Sequence, residues 1–335
     1  MQILVTGGAG YIGSHNVIAL IQAGYDVVIF DNLELGHLEI VEALKQIQTE
    51  GKVVDFIKGD LQNLADIKAV FEKHKIESVV HFAAYSQVAE SVKNPQKYYY
   101  NNVYGTLNLL NAMLENGVKQ IVFSSTAATY GEPVYTPIDE DHPQNPINTY
   151  GKTKLMIESI MDDYDKAYGL KSVRLRYFNV AGADSQGRVG EWHDPETHLI
   201  PNVLKSTFAG GKTFQMFGQD YDTKDGTCVR DYINVEDLAH AHVLALKYLQ
   251  NGGVTSYFNL GTEEGNSVKE VFNCCEKVTG KSIPVEMCPR RQGDPATLIA
   301  NNKKAKEVFG WIPEKTLEES VCSAYTWESK LENIK

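Results

Sequence analysis

The chain is poor in the features that mark nucleic-acid-binding, membrane-spanning and disulfide-linked proteins. Its 335 residues carry 32 Lys and Arg against 43 Asp and Glu, and the net charge of −11 argues against nucleic acid as a partner. No apolar run reaches the roughly 20 residues that a transmembrane helix needs. Internal repeats and low-complexity tracts are also absent from the sequence. These absences favour a soluble globular protein with neither a membrane nor a nucleic-acid partner.

Cysteine and histidine are sparse and unfavourably spaced for metal or disulfide chemistry. The five cysteines form no Cys-x-x-Cys pair, and the adjacent Cys274 and Cys275 suit neither a disulfide nor a zinc site. His240 and His242 are two apart on a predicted helix, so they face different sides. The first strand begins at residue 2 or 3, leaving no room for a signal peptide. We expect reduced thiols, a cytoplasmic location and no metal site.

The N-terminal segment has the pattern of a dinucleotide-binding turn. A short apolar strand runs into Gly7, Gly10 and Gly13 and then into an apolar helix. Such glycines allow a tight bend and close approach to a pyrophosphate, which the helix N-terminus favours electrostatically. The next strand ends at Asp31, where an acidic side chain can hydrogen-bond the adenosine ribose, and no Arg or Lys follows directly to accept a 2′-phosphate. The pattern predicts NAD rather than NADP.

Three further strands end in residues suited to a ligand. A strand over residues 53–59 precedes Asp60 and Leu61, placed for adenine, a strand over 78–84 ends in small residues, and a strand over 120–126 ends in hydroxyls. Ligands of doubly wound sheets bind beyond the carboxyl ends of the strands, so these ends should meet in one crevice. The predicted fold class is α/β, a doubly wound parallel (Rossmann) sheet with a smaller, interleaved α/β substrate-binding domain.

The pattern changes after residue 178, which suggests two interleaved domains in a chain longer than a usual single core. We expect residues 1–178 to form the nucleotide domain, with returning segments at about 231–258 and 315–330. Residues 179–230 and 259–314 would form the substrate domain.

Tyr150 and Lys154 are four residues apart, so a helix places them on one face. Thr149 is the predicted N-cap of that helix. A nearby ammonium favours the phenolate and should lower the Tyr150 pKa from about 10 towards neutrality. The spacing alone is common on helix surfaces, but after a nucleotide-binding pattern it predicts an acid/base pair that acts on an alcohol.

Ten segments together resemble the extended short-chain dehydrogenase/reductase family, and within it the UDP-sugar 4-epimerases. The glycine loop and the Tyr/Lys pair define only the superfamily, whereas the segments 225–232 and 289–294 are far more specific. The ten segments are residues 7–13, 31–33, 59–61, 81–84, 123–126, 150–154, 176–179, 225–232, 259–261 and 289–294.

The resemblance implies an NAD-dependent isomerase that interconverts UDP-galactose and UDP-glucose through a transient 4-keto sugar. It implies that Tyr150 takes the proton of the sugar 4-hydroxyl, that Lys154 holds the nicotinamide ribose, and that Thr126 hydrogen-bonds the 4-oxygen. Tyr150 and Lys154 are also implied cofactor contacts, together with Gly7, Gly10, Tyr11, Ile12, Gly13, Asp31, Asn32, Asp60, Leu61, Phe82, Ala83, Ala84 and Tyr177.

The resemblance also implies a substrate site and a homodimer through helices near residues 98–117 and 150–168. Arg230 and Arg291 are the candidates for the diphosphate, because guanidinium groups match phosphate oxygens. The other implied substrate contacts are Asp294 to the ribose, Phe217 to uracil, and Asn179 and Leu199 along the sugar and diphosphate.

The chain departs from the family pattern at three positions. Ser86 stands where many members carry Lys, and His198 where many carry Asn. Leu298 occupies the position that controls sugar size, which leaves open epimerisation of another UDP-sugar, a UDP-N-acetylhexosamine or a UDP-uronic acid.

Two other functions are less favoured. A sugar-nucleotide 4,6-dehydratase would need an Asp-Glu pair where this chain has Ala127 and Ala128. A non-catalytic NAD-responsive binding protein would have little reason to keep Tyr150, Lys154 and Thr126 together.

Overall fold

The computed structural model describes residues 1–47, 49–291 and 294–332, which form thirteen strands. In chain order the strands are β1 (Gln2–Thr6), β2 (Asp26–Asp31), β3 (Val53–Lys58), β4 (Ile76–His81), β5 (Gln120–Thr126), β6 (Lys171–Tyr177), β7 (Asn179–Ala181), β8 (Phe214–Phe217), β9 (Val229–Asn234), β10 (Ser256–Leu260), β11 (Gly265–Ser267), β12 (Val285–Cys288) and β13 (Thr297–Leu298).

Twelve α-helices connect or cover these strands within the described part of the chain, and a π-helical turn (Tyr99–Tyr104) precedes the sixth. None of the helices in these ranges has the length and apolar content needed to cross a membrane. The helices are α1 (Tyr11–Gln22), α2 (Leu38–Lys45), α3 (Leu64–Lys73), α4 (Val88–Lys93), α5 (Pro95–Tyr98), α6 (Gly105–Glu115), α7 (Thr149–Tyr168), α8 (Leu199–Lys205), α9 (Val235–Gln250), α10 (Val268–Thr279), α11 (Lys303–Phe309) and α12 (Leu317–Glu332).

The main sheet has seven parallel strands in the order β10-β6-β5-β4-β1-β2-β3. Side chains of a strand alternate between faces, and in β1 Ile3 and Val5 enter one apolar cluster while Leu4 enters another. Helices cover both faces, as parallel sheets require. The predicted doubly wound α/β class is confirmed.

A smaller second region follows β6. There β9 pairs with β7, β11 and β13, β8 pairs with β12, and a third apolar cluster forms with α8, α10 and α12. The chain returns to the main sheet through α9, which packs on α1, and through β10, which pairs with β6. Helix α12 contributes Val321 to the third cluster and Trp327 to the first, so it contacts both regions.

Helix α7 carries the predicted acid/base pair, and its ends are well defined. Asn148 is the N-cap, because its side-chain oxygen accepts a hydrogen bond from the Gly151 amide at 2.8 Å. The prediction of Thr149 as the cap is wrong by one residue, since Thr149 is already the first helical residue. At the other end Gly169 adopts φ 68°, the left-handed conformation that suits glycine after a helix.

Candidate active site

One cleft lies along the carboxyl edge of the main sheet. All of the residues predicted to contact the cofactor line it, and Thr126 and Asn179 line it as well. Most of them come from the ends of β1 to β6, as the expected convergence of strand ends requires, and α7 adds Tyr150 and Lys154. Within the described ranges, the cleft thereby joins the nucleotide motif to the acid/base pair.

The glycine turn fits a pyrophosphate at one end of this cleft. Gly7 has φ +73°, and a Cβ there would lie 2.6 Å from the backbone nitrogen of Ala83. A Cβ on Gly13 would lie 2.1 Å from the Gly7 carbonyl oxygen. Gly10, at the N-cap of α1, has no side chain to cap the first amides of the helix, which therefore remain for an anion. Only glycine, which has no Cβ, allows the backbone segments to come this close at positions 7 and 13.

The ends of β2 and β3 fit an adenosine. Asp31 is buried, and its carboxylate accepts hydrogen bonds from the amides of Ala9 (3.1 Å) and Leu33 (2.8 Å). Burial raises the pKa of Asp31, and these amides oppose that rise. The Asn32 amide donates to the Asp60 carboxylate at 3.0 Å, which ties the two strand ends together. An acid at the end of β2 and the glycine cradle together fit NAD.

Tyr150, Lys154 and Thr126 meet at the other end of the cleft. The Lys154 ammonium donates to the Ser124 carbonyl at 2.7 Å and lies 5.9 Å from the centre of the Tyr150 ring. The Thr126 side-chain oxygen accepts from the Ala128 amide at 3.1 Å. The structure therefore places phenol, ammonium and hydroxyl around one point, as the motifs predicted.

The expected lowering of the Tyr150 pKa is wrong for the protein alone. Burial raises the pKa of Tyr150 to about 12, and the Thr126 hydroxyl only partly opposes this rise. Burial also lowers the pKa of Lys154 to about 7, although the Glu158 carboxylate acts in the other direction. A lysine whose own charged form is disfavoured by burial cannot by itself stabilise the Tyr150 phenolate. The closeness of the two residues in sequence therefore overstated the lowering of the Tyr150 pKa.

A buried ion pair lies behind the catalytic end of the cleft. Glu158, one turn after Lys154, receives hydrogen bonds from the Arg176 guanidinium, one of them at 3.0 Å. Both side chains are 3% exposed. Ser125 also donates to Glu158, and Tyr130 accepts from Arg176. This network joins α7 to β5 and β6, one helical turn beyond Lys154.

Several residues at the cleft were missed by the motif analysis. Ser124 positions Lys154 through its carbonyl and hydrogen-bonds the Tyr177 hydroxyl through its own. Its only sequence signal was the hydroxyl-rich end of β5. Tyr85 and Glu34 hydrogen-bond each other in the cleft wall, beside Ser86. They are 51 residues apart, so no local pattern could pair them.

The predicted uridine diphosphate residues lie outside the wall of this cleft, in the second region. Arg230 pairs with Asp294 at 3.2 Å, and the Arg291 guanidinium lies 4.0 Å from the centre of the Phe217 ring. Arg291 therefore covers the ring face that was assigned to uracil. Residues 292–293 of the same motif lie outside the described residues.

Leu199 and Leu298 occupy less direct positions. Leu199 is the first residue of α8 and packs against the third apolar cluster, away from the cleft wall. Leu298 lies on β13, opposite Arg230 of β9. His198, the residue before Leu199, lines the cleft, and its Nδ1 atom lies 2.5 Å from the Glu191 carboxylate. Burial opposes a charge on His198, but Glu191 outweighs this effect and raises the pKa of His198 to about 10.

Comparison with known proteins agrees with this site. The family model described as GDP-mannose 4,6 dehydratase matches residues 4–323. The UDP-glucose 4-epimerase of Halalkalibacterium halodurans is 52% identical over 98% of this chain and 96% of its own length. The UDP-glucose 4-epimerase of Brucella ovis, solved in complex with NAD, is 45% identical, covers 98% of both chains and superposes with a TM-score of 0.91.

A further solved structure extends the likeness to a nucleotide complex. The UDP-glucose 4-epimerase of Bifidobacterium longum, in complex with NAD+ and UDP, is 40% identical over 99% of both chains, with a TM-score of 0.93. These matches extend over nearly the whole chain. They therefore include the fold, the glycine cradle and the residues Tyr150, Lys154 and Thr126. The chain therefore belongs to the extended short-chain dehydrogenase/reductase family, in its UDP-glucose 4-epimerase branch.

Proposed function

We propose that this protein is an NAD-dependent isomerase that interconverts UDP-galactose and UDP-glucose through a transient 4-keto sugar. The observation that carries the proposal is the single cleft that joins a dinucleotide cradle to Tyr150, Lys154 and Thr126. Relatives about half identical over nearly the whole chain are UDP-glucose 4-epimerases, and several neighbouring structures hold NAD. The proposed cofactor is accordingly NAD.

The proposed chemistry needs a base at the sugar 4-hydroxyl and a redox partner at carbon 4. Bound NAD supplies acceptance and return of a hydride at that carbon. Tyr150 takes the proton of the 4-hydroxyl and gives it back after the keto sugar has turned its other face. Thr126 hydrogen-bonds the 4-oxygen, and Lys154 holds the nicotinamide ribose. The high pKa of Tyr150 in the protein alone means that the phenolate must be favoured by the positively charged oxidised cofactor together with Lys154.

The cofactor side of the cleft is assigned by its chemistry. The first amides of α1 face the pyrophosphate, and Asp31 accepts from the adenosine ribose. Asp60 and Leu61 lie beside the adenine, while small residues at the end of β4, Ala83 and Ala84, let the cofactor lie close.

The substrate side must hold the nucleotide firmly and the sugar loosely, because the keto sugar has to rotate. Arg230 and Arg291 are the proposed diphosphate contacts, Asp294 the ribose contact and Phe217 the uracil contact. Arg230 already pairs with Asp294, so ligand binding has to rearrange this pair. Asn179 lines the cleft next to Thr126 and contacts the sugar.

Proton NMR of the purified protein with UDP-galactose and no added NAD tests the proposal. We expect the anomeric signals to convert to a stable mixture with UDP-glucose, with no net NADH. Activity only after adding NAD would mean that the cofactor exchanges. No conversion in either case, with NAD shown to be bound, would contradict the proposed substrate, and UDP-N-acetylglucosamine and a UDP-uronic acid would then be assayed.

A homodimer and a cytoplasmic location are also proposed. Large apolar side chains are exposed on the two helical segments expected at the interface, with Tyr100 at 54% and Met156 at 44%. All five cysteines are free thiols, as in a reducing compartment. Light scattering should give twice the chain mass, and Met156→Glu should shift it towards the monomer. A wild-type monomer at micromolar concentration would contradict the dimer.

A further inference from the structure

Four potential metal ligands meet at the edge of the cleft, on the segment that leads into α8. One donor atom each from Glu191, His193, Glu196 and His198 lies within 4.8 Å of all the others. The two carboxylates belong to side chains only 7% and 5% exposed. Buried acids next to imidazole nitrogens differ from an ordinary solvated acidic patch, because burying charge is costly unless it is paired.

The spacing of these donors fits one small ion. The Nδ1 atom of His193 lies 3.1 Å from the Glu191 carboxylate and 4.0 Å from that of Glu196. The Nδ1 atom of His198 lies 2.5 Å and 3.3 Å from the same two carboxylates. Tetrahedral zinc with bonds of about 2.0–2.2 Å places neighbouring ligand atoms roughly 3.3–3.6 Å apart. The separations here run from 2.5 Å to at most 4.8 Å, so changes of about 1 Å in them would give a four-coordinate site.

The charges around the cluster favour a cation. Two carboxylates belong to the cluster, and a third, Glu328, is also buried nearby. The Lys205 ammonium forms ion pairs with two of these carboxylates, at 3.5 Å from Glu196 and 3.8 Å from Glu328. The Glu196 oxygen that faces the histidines is Oε1, while its Oε2 atom makes no hydrogen bond and has Lys205 as its charged neighbour. A histidine that binds a metal does so as neutral imidazole, so a divalent ion would neutralise the two buried carboxylates of the cluster, Glu191 and Glu196.

We propose that Glu191, His193, Glu196 and His198 bind one divalent transition-metal ion of the zinc class, in a closed structural site. Two imidazoles and two carboxylates are a donor set that zinc accepts. Four protein ligands leave no open position for substrate or water, so the ion would fix the segment and take no part in the proton or hydride chemistry.

The site would act on the shape of the cleft. The same segment stacks Trp192 on His37 at 3.9 Å between ring centres, and His193 lies 6.4 Å from the ring of Tyr11, which belongs to the glycine turn. An ion bound to both histidines would hold this contact between the second region and the cofactor cradle. The sequence signal of this site is the spacing Glu-x-His-x-x-Glu-x-His, whereas the expectation of no metal site rested on the cysteines and on the histidine pair of α9.

Metal analysis of the whole protein, expressed without a polyhistidine tag in zinc-supplemented medium, tests the proposal. We expect about one zinc per chain by mass spectrometry, because all four ligands come from one chain. Cobalt added to chelator-treated protein should give the intense visible absorption of a tetrahedral site. Protein with zinc at trace level that also binds neither added zinc nor cobalt in calorimetry would overturn the proposal.

Variants place the ion at this cluster. Glu196→Gln and His193→Ala should each reduce the zinc content at least tenfold, with far-ultraviolet circular dichroism showing that the protein is folded. His240→Ala is the matched control, because His240 is exposed on α9 and outside the cluster, and it should keep its zinc. Equal zinc in the cluster variants and the control would assign the metal elsewhere and contradict the proposal.

Discussion

The cofactor and substrate parts of the site are built in different ways. The cofactor part uses the ends of one continuous sheet, and its key acid, lysine and ion pair are all buried, with Lys154 and Glu158 at 2% and 3% exposure. The substrate part uses short strands in small sheets, and its Asp294 is 37% exposed. The first is complete before any ligand arrives. The second holds Arg230 in an ion pair with Asp294 and Arg291 over the Phe217 ring, and both contacts must be rearranged for a ligand.

This difference suits an enzyme that keeps one ligand and releases the other. A preformed, buried cradle loses little conformational entropy on binding, whereas the exposed Arg291 must be ordered and the pair of Arg230 with Asp294 must be rearranged each time. We expect mutations in the first part to affect chemistry and folding, and mutations in the second part to affect substrate affinity.

The largest expected effect is at Tyr150. Tyr150→Phe removes the proposed base, and the rate constant kcat for UDP-galactose should fall by about 10²–10⁴-fold, the usual contribution of a general base. The bound NAD content should not change, because the phenol hydroxyl is not part of the cradle. The NMR assay and cofactor release on denaturation measure the two quantities.

Tyr168→Phe is the control for this change, since Tyr168 is exposed at the end of the same helix. It should leave kcat unaltered. Near-normal activity of Tyr150→Phe would show that another group accepts the proton.

The next effect is on folding, through the buried pair behind the cleft. Glu158→Gln leaves the Arg176 guanidinium buried without a carboxylate, which should cost about 3–5 kcal/mol in the free energy of unfolding. Urea denaturation measures the loss. Glu318→Gln, at the half-exposed pair with Lys277, should change the unfolding midpoint very little. Equal effects of the two variants would mean that the cofactor part is no better ordered than the surface.

A smaller effect is expected on the substrate side. Arg291→Ala should raise KM for UDP-galactose about 10–100-fold, the loss expected for hydrogen bonds to a charged group, while kcat changes less. Retention of NAD should be normal. Arg290→Ala is the control, because Arg290 pairs with Asp220 at 2.6 Å and is not an assigned diphosphate contact. If Arg290→Ala has the larger effect on KM, the assignment of Arg291 is wrong.

The smallest effect concerns pH and Lys154. Burial lowers the pKa of Lys154 from about 10.5 to about 7, so above pH 7 the unfolded chain binds more protons than the folded one. The contribution of Lys154 to the stability of the cofactor-free protein should therefore rise as the pH goes from about 7 to 10. Lys154→Met should flatten that rise in the melting temperature, and the exposed Lys166→Met should not. Wild-type and Lys154→Met curves that stay parallel across this range would contradict the buried, weakly charged lysine, whereas the wild-type curve alone also contains the opposite contribution of His198.

Local patterns predicted the parts of the site that depend on neighbours in the chain. Gly7 and Gly13 could be assigned because their role is a backbone turn of a few residues, and Tyr150 and Lys154 because helix geometry alone sets their relation. The alternation of strands and helices likewise predicted the doubly wound sheet. The N-cap was missed by one residue because Asn148 and Thr149 are both suitable caps.

Contacts between distant residues could not be predicted in this way. The Arg291 guanidinium on Phe217, the pair of Arg176 with Glu158, and the Glu34 hydrogen bond to Tyr85 each join separate elements. The division into domains and the role of Leu298 stay predictions.

The sequence by itself determined the fold class and the nucleotide cradle and predicted Tyr150 and Lys154 as the acid/base residues, because short-range backbone and side-chain periodicities encode these features. Only the tertiary structure decided how those residues are charged. Burial raises the pKa of Tyr150 and lowers that of Lys154, the reverse of what their spacing suggested for the phenol. Desolvation depends on everything packed around a group, and that environment comes from elements far apart in the chain.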